Sequence, residues 1–151
     1  MTIELNNPLE FKNKIGKMLG HSNWFTVTQD KIDQFAKATG DYQWIHLDKK
    51  KAEEESPFQN TVAHGYYTLS LIPFFLEQIW VCKNTKLIIN YGAEKIRFAN
   101  PVVCEDEIRA SMFIENADDY KNGILIKSLV KIEIKNKEKP ALMANTLTLI
   151  Y

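Results

Sequence analysis

From Lys86 onward, apolar residues recur at every second position. Ile108, Ala110, Met112 and Ile114 alternate with Arg109, Ser111 and Phe113; after Asn122-Gly123, the set Ile126, Ser128, Val130, Ile132 and Ile134 alternates with Lys127, Leu129, Lys131 and Glu133. Residues 141–151 alternate as well. Period two puts successive side chains on opposite faces of a strand, so the pattern predicts an antiparallel meander turning at residues 118–123 and 136–140.

The first half of the chain follows a different rhythm. Residues 63–80, AHGYYTLSLIPFFLEQIW, are apolar on most faces, which predicts a helix wrapped by other structure, kinked or broken at Pro73. Upstream, Ile32, Phe35 and Ala36 form an i, i+3, i+4 stripe. Thr28 is placed as its N-cap, Val27 as a staple against Ile32, and Gly40 as the residue that ends the helix in a left-handed turn. Leu9, Phe11, Ile15, Met18 and Leu19 space residues 6–19 like a short amphipathic helix, and residues 41–62 read as irregular except for the charge run KKKAEEE at 49–55, a solvated turn or helix. A long antiparallel sheet after one wrapped helix predicts an α+β arrangement in which the sheet curls around that helix. We expect one domain over residues 1–151, with residues 1–21 as a capping segment.

Composition narrows the function classes. Hydrophobic residues make up 45% and charged residues 25%, the balance of a globular protein. Basic and acidic residues cancel at nineteen each, and Arg97 and Arg109 are the only arginines. Nucleic-acid tracking needs a basic excess or stripe, so it is not expected. Cys82 and Cys104 make no CxxC pattern and read as buried structural thiols, not a disulfide or metal pair. The N-terminus lacks an uninterrupted apolar run, and the greasiest stretch, residues 69–80, contains Pro73, Glu77 and Gln78. Neither a secretory signal nor a membrane span is expected, which points to the cytoplasm.

The chemistry concentrates in ATGDYQWIH, residues 38–46. On a continuous helix, a five-residue offset turns a side chain by roughly 500°, leaving Asp41 and His46 on nearly opposite sides. They meet only if the chain leaves the helix at Gly40. A carboxylate and an imidazole brought together in that way can hold one water molecule and move its protons. Gly65, at the start of the apolar helix, leaves backbone N–H groups free to bind a carbonyl oxygen that gains negative charge.

These residues resemble the MaoC-like hydratases and dehydratases of the hot dog fold, the (R)-specific enoyl-CoA hydratase group. Phe35, Thr39, Gly40, Asp41, Ile45, His46 and Ala52 match the family's first motif. Gln43-Trp44 stand where Asn-Pro is usual, a variant associated with a subgroup similar to nodulation protein N. Loss of that proline means the turn must be held another way, for which packing of Trp44 is the candidate. Val62-Ala63-His64-Gly65 is similar to the family's IAHG segment. Ile96-Arg97-Phe98, Pro101-Val102 and residues 105–108 fall at its strand and turn positions.

The resemblance implies a water-activating dyad of Asp41 and His46, with substrate contacts at Gly65, His64, Ala63, Tyr66, Gln43, Trp44 and Arg97. His64 itself reads as a structural group near the helix start. Arg97 is open between a phosphate contact and a surface ion pair, and His21 has no pattern that supports a role. The implied substrate is a 2-enoyl thioester of coenzyme A or an acyl carrier protein, with no metal or other cofactor. Assembly is expected as a homodimer or a higher homo-oligomer, because a lone sheet leaves an edge to cover and the resemblance implies two protomers joined edge to edge. A hot dog thioesterase and a non-catalytic thioester-binding subunit are the alternatives.

Overall fold

In chain order the computed structural model, which describes residues 2–151, begins with β1 (Ile3–Leu5), a 3-10 helix (Pro8–Lys14), β2 (Met18–His21) and β3 (Phe25–Thr26). Helices α1 (Gln29–Thr39), α2 (Trp44–Leu47), α3 (Lys49–Glu55), α4 (Gly65–Ser70) and α5 (Ile72–Ile79) follow. Strands β4 (Trp80–Cys82), β5 (Ile88–Phe98), β6 (Glu107–Tyr120), β7 (Gly123–Ile134) and β8 (Leu142–Ile150) complete it.

Strand β7 shows how the sheet is specified. Its alternate residues Ile124, Ile126, Ser128, Val130, Ile132 and Ile134 are all buried, while the intervening ones are only partly so. Antiparallel pairing sets Ile108, Ala110 and Met112 of β6 opposite Ile134, Ile132 and Val130, so one face of the hairpin is continuously apolar. A register shift between Ile114 and Asn116 then moves the buried phase to Ala117, which simple period-two counting misses. The strand order is β2-β6-β7-β8-β5, with β3 also paired to β6. Strand β5 therefore stands at the margin of the sheet. A second shift there, between Glu94 and Arg97, puts Lys95 in a left-handed conformation at φ 49°.

The sheet's apolar face packs on α4 and α5. Helix α5 offers Ile72, Phe75, Leu76 and Ile79 at i, i+3, i+4 and i+7, all buried in the common core. This is the hot dog arrangement, an antiparallel sheet around a central helix. The break falls at Leu71, between α4 and α5, and Pro73 occupies the first turn of α5, where its missing N–H costs nothing.

Several expectations need correction. The wrapped helix is not covered all round, because Tyr66 is 70% exposed and Phe74 is also exposed. Residues 6–19 form no continuous helix: Pro8 starts a short 3-10 segment with Asn7 capping its amide end, and Gly16, at φ 78°, turns the chain into β2. The 118–123 turn shrinks to Lys121 and Asn122, both at positive φ, so both strands run farther than turn-residue content suggests. Residues 41–62 contain α2 and α3, the latter being the charge run. Thr28 has the extended N-cap backbone but no side-chain capping bond. Cys82 and Cys104 are free thiols and only partly buried. Among the described residues, no helix is long and apolar enough to cross a membrane.

Candidate active site

Gly40 closes α1 in the left-handed region, at φ 79°, and its N–H donates to the Ala36 carbonyl at 2.8 Å. That bend answers the spacing problem, because the chain leaves α1 and re-enters a helix only at Trp44. Between them the Asp41 carboxylate accepts weakly from the Gln43 amide at 3.4 Å.

Three strands of hydrogen bonding pin this bend to the body. Segment 61–63 pairs with 102–104: the Ala63 N–H donates to Val102 O at 2.8 Å and the Cys104 N–H to Thr61 O at 2.9 Å. Val62 faces α2 with both of its backbone groups. Its N–H donates to Ile45 O at 3.0 Å, and its carbonyl lies 2.6 Å from His46 Nδ1. Finally, the Gln29 amide of α1 donates to His46 O at 2.8 Å and accepts from the fully buried Thr61 hydroxyl. Trp44 does not hold the turn by core packing; it is half-buried beneath Lys51, whose Nζ sits 4.8 Å from the ring centre. Hydrogen bonds from three elements replace the missing proline.

The result is a cluster of three groups. His46 and His64 are 7% and 2% exposed, and their rings stack at 3.7 Å between centres with planes inclined by 25°. The Asp41 side chain is 55% exposed and lies 4.0 Å from His64 Nε2, while the Asp41 backbone carbonyl is 3.0 Å from the same nitrogen. One ligand-type atom from each of Asp41, His46 and His64 falls within 4.8 Å of the others.

Carbonyl oxygens only accept, which assigns the tautomers. His46 donates through Nδ1 to Val62, so in the neutral ring its Nε2 carries the lone pair; His64 donates through Nε2 to Asp41, leaving its buried Nδ1 without a partner among the described residues. Burial holds the His46 imidazole below its ordinary value, the neighbouring His64 adds to this, and the Val62 bond and Asp41 oppose it. His46 thus presents a neutral acceptor. The three side chains are also metal-ligand types. Stacked planes inclined by 25°, however, meet only well beyond the about 2.0–2.1 Å at which a ring nitrogen binds zinc, so the two lone pairs do not aim at one ion.

Beside the cluster lies a cavity of about 310 Å³ lined by Ile45, Phe58, Val62, Ala63, Gly65 and Phe98, among others. Gly65 begins α4 with the Phe98 ring packed directly on it. The structure therefore groups Asp41, His46, His64, Ala63 and Gly65. Tyr66 is exposed with its ring centre 5.8 Å from that of Phe98, Gln43 is exposed on the bend, and Arg97 is exposed on β5. His21 lies 3.5 Å from Glu133 on the sheet, away from this cluster. Gln29 and Thr61 were not legible as site residues, because nothing in their local spacing reports a bond between positions 32 residues apart.

The family described as MaoC like domain matches residues 10–136. Over 133 residues, 87% of each protein, the chain is 39% identical to 3-hydroxyacyl-thioester dehydratase Z of Mycobacterium tuberculosis. It is 37% identical over 140 residues to Nodulation protein N of Rhizobium leguminosarum bv. viciae, covering 91% of this chain and 87% of the other. In structure it is similar to an (R)-hydratase from A. caviae involved in PHA biosynthesis, with a TM-score of 0.72, 20% identity, and coverage of 89% and 94% of the two chains.

Proposed function

Because the chain belongs to the MaoC-like domain family, we propose that it adds water reversibly across the double bond of a 2-enoyl thioester, giving the (R)-3-hydroxyacyl thioester. The reverse dehydration follows by microscopic reversibility. The chain is an enzyme of the hydratase and dehydratase class, and relatives named as dehydratases and (R)-hydratases support that assignment. The observation that carries the finer reading is the approach of the Asp41 carboxylate and the neutral His46 to within 4.8 Å, beside an apolar cavity.

Water has two hydrogens, and the site offers two acceptors for them. One O–H donates to the Asp41 carboxylate and the other to His46 Nε2, which leaves an oxygen lone pair aimed at the β-carbon. The first-turn amides of α4, starting at Gly65, have no intrahelical partner and polarise the thioester carbonyl. As the C–O bond forms at the β-carbon, a water proton passes to the dyad, which hands it to the α-carbon, so one H and one OH are added in total. The acyl group lies in the cavity between Val62, Ala63 and Phe98, and coenzyme A or an acyl carrier protein supplies the thiol. The scheme calls on no further cofactor. Two unbridged thiols suit a cytoplasmic setting.

The assembly we assign is a homodimer. Strand β5 is one margin of the sheet, and Ile88, Tyr91, Ile96 and Phe98 along it, with Tyr66 packed near Phe98, expose large apolar surface. A second copy placed edge to edge covers both. Crotonyl-CoA tests the activity: loss of the enoyl absorbance without thiol release is the expected result. Thiol release with the double bond intact would indicate a thioesterase, and binding without turnover, unchanged in Asp41→Asn, a non-catalytic subunit.

A further inference from the structure

His64 contributes more contacts to the proposed dyad than a loop-shaping residue requires. Its ring is 2% exposed: His46 is stacked on it at 3.7 Å, and the Phe35 ring of α1 lies 5.1 Å from its centre at a tilt of 53°. Its one hydrogen bond goes to the backbone carbonyl of Asp41 at 3.0 Å. A single buried side chain thus touches both members of the dyad, one through an edge nitrogen and one through a ring face.

We infer that His64 is a positioning residue that keeps Asp41 and His46 in register, its Nε2–H tying down the Asp41 backbone and its ring face serving as the platform for His46. The inference rests on the hydration reading for its kinetic consequences but not for its spectroscopic ones. Two stacked imidazoles cannot both carry charge cheaply, so the platform also favours a neutral His46 at working pH. The charged or titratable groups facing His46 are His64, from the head of α4, and Asp41, from the bend after α1. The Val62 carbonyl and the Gln29 amide, which also bond it, are neutral.

The two contacts are separable by substitution. His64→Gln places an amide N–H near the Nε2 position and can still tie Asp41, but it removes the ring. His64→Phe keeps the ring and loses the donor. Each variant, with wild type, is followed by crotonyl-CoA hydration against pH and by nitrogen NMR of histidine-labelled protein, with urea midpoints confirming folding.

In wild type, NMR is expected to show opposite neutral tautomers, protonated at Nδ1 for His46 and at Nε2 for His64. In His64→Gln, the His46 titration and the acid limb of kcat/KM both move upward, toward the ordinary histidine value. In His64→Phe, burial persists and the acid limb stays low, while kcat falls on the order of a hundredfold as the Asp41 bend loosens. Identical tautomers in wild type, an unmoved His46 titration in His64→Gln, or wild-type kcat in His64→Phe would each overturn the inference. Failure of wild type to hydrate crotonyl-CoA would sink the hydration reading alone, because tautomers and titrations remain readable without turnover.

Discussion

Gln29 offers a direct measure of how much the architecture contributes to the site. It starts α1, yet its amide bonds His46 O at 2.8 Å and the Thr61 hydroxyl, and Thr61 is fully buried. Replacing Gln29 with Leu keeps most of the volume and removes both bonds. A buried donor or acceptor left unpaired costs about 1–3 kcal/mol, so two such groups predict a loss of roughly 2–4 kcal/mol in unfolding free energy, after allowing for partial rescue by water. Its third bond, to Asp33 at 2.7 Å, lies on the helix surface at i, i+4 and adds only about 0.2–0.5 kcal/mol. With an m-value of about 2 kcal/mol per molar urea, the midpoint should fall by about 1–2 M. Hydration of crotonyl-CoA should drop on the order of ten- to a hundredfold, because the freed His46 carbonyl lets the α2 turn shift relative to the Thr61–Ala63 segment. Gln29→Glu, which still accepts from Thr61 but cannot donate to His46 O, should remain at least as impaired in rate. If Gln29→Leu unfolds within about 0.5 kcal/mol of wild type and turns over normally, then hydrogen bonding across these elements does not hold the bend, and the account of the missing proline fails.

Four further outcomes are expected. Asp41→Asn should lower kcat by about 10²–10⁴ with little change in the urea midpoint, because the side chain is 55% exposed. Acidification should destabilise the fold. The His46 imidazole is held below its ordinary value of 6.5, so the unfolded chain takes up the proton first and unfolding free energy declines as pH falls below about 6.5; His46→Gln should flatten that slope in urea midpoints measured across pH. Gly65→Ala puts a methyl 3.0 Å from the Phe98 ring and should depress kcat/KM at least about tenfold by displacing that ring, with part of the loss recovered by adding Phe98→Leu. Paired lysines at Ile88 and Ile96 on β5 should convert the proposed dimer to monomer in sedimentation analysis.

Much of this architecture was legible because its causes are local. Period-two alternation marks β6 and β7, since each buries mainly one face, whereas β8 buries residues on both. Gly40 marks the end of α1, since only glycine takes that left-handed turn at no steric cost. The juxtaposition of Asp41 and His46 follows from the same bend. Other features were hidden because their causes are distant. Residues on both faces of β5 are exposed in the isolated chain, so that strand carries no clean alternation. The shift near Glu115 is set by pairing with β7, not by the β6 sequence. His64 reads as one histidine beside a helix start, and its stacking on a ring 18 positions earlier appears only once Val62 has drawn α2 against segment 61–63.

The kink at Lys95 bears on what the border at β5 accepts. A straight, greasy border would accept any extended peptide, and each added strand would offer a fresh border to the next. At Lys95 the backbone breaks step with its neighbour, so an incoming stranger loses register partway along. In the proposed homodimer, a twin chain running the opposite way about a twofold axis would bring an interruption of its own, and that addition would cover the β5 border on both copies.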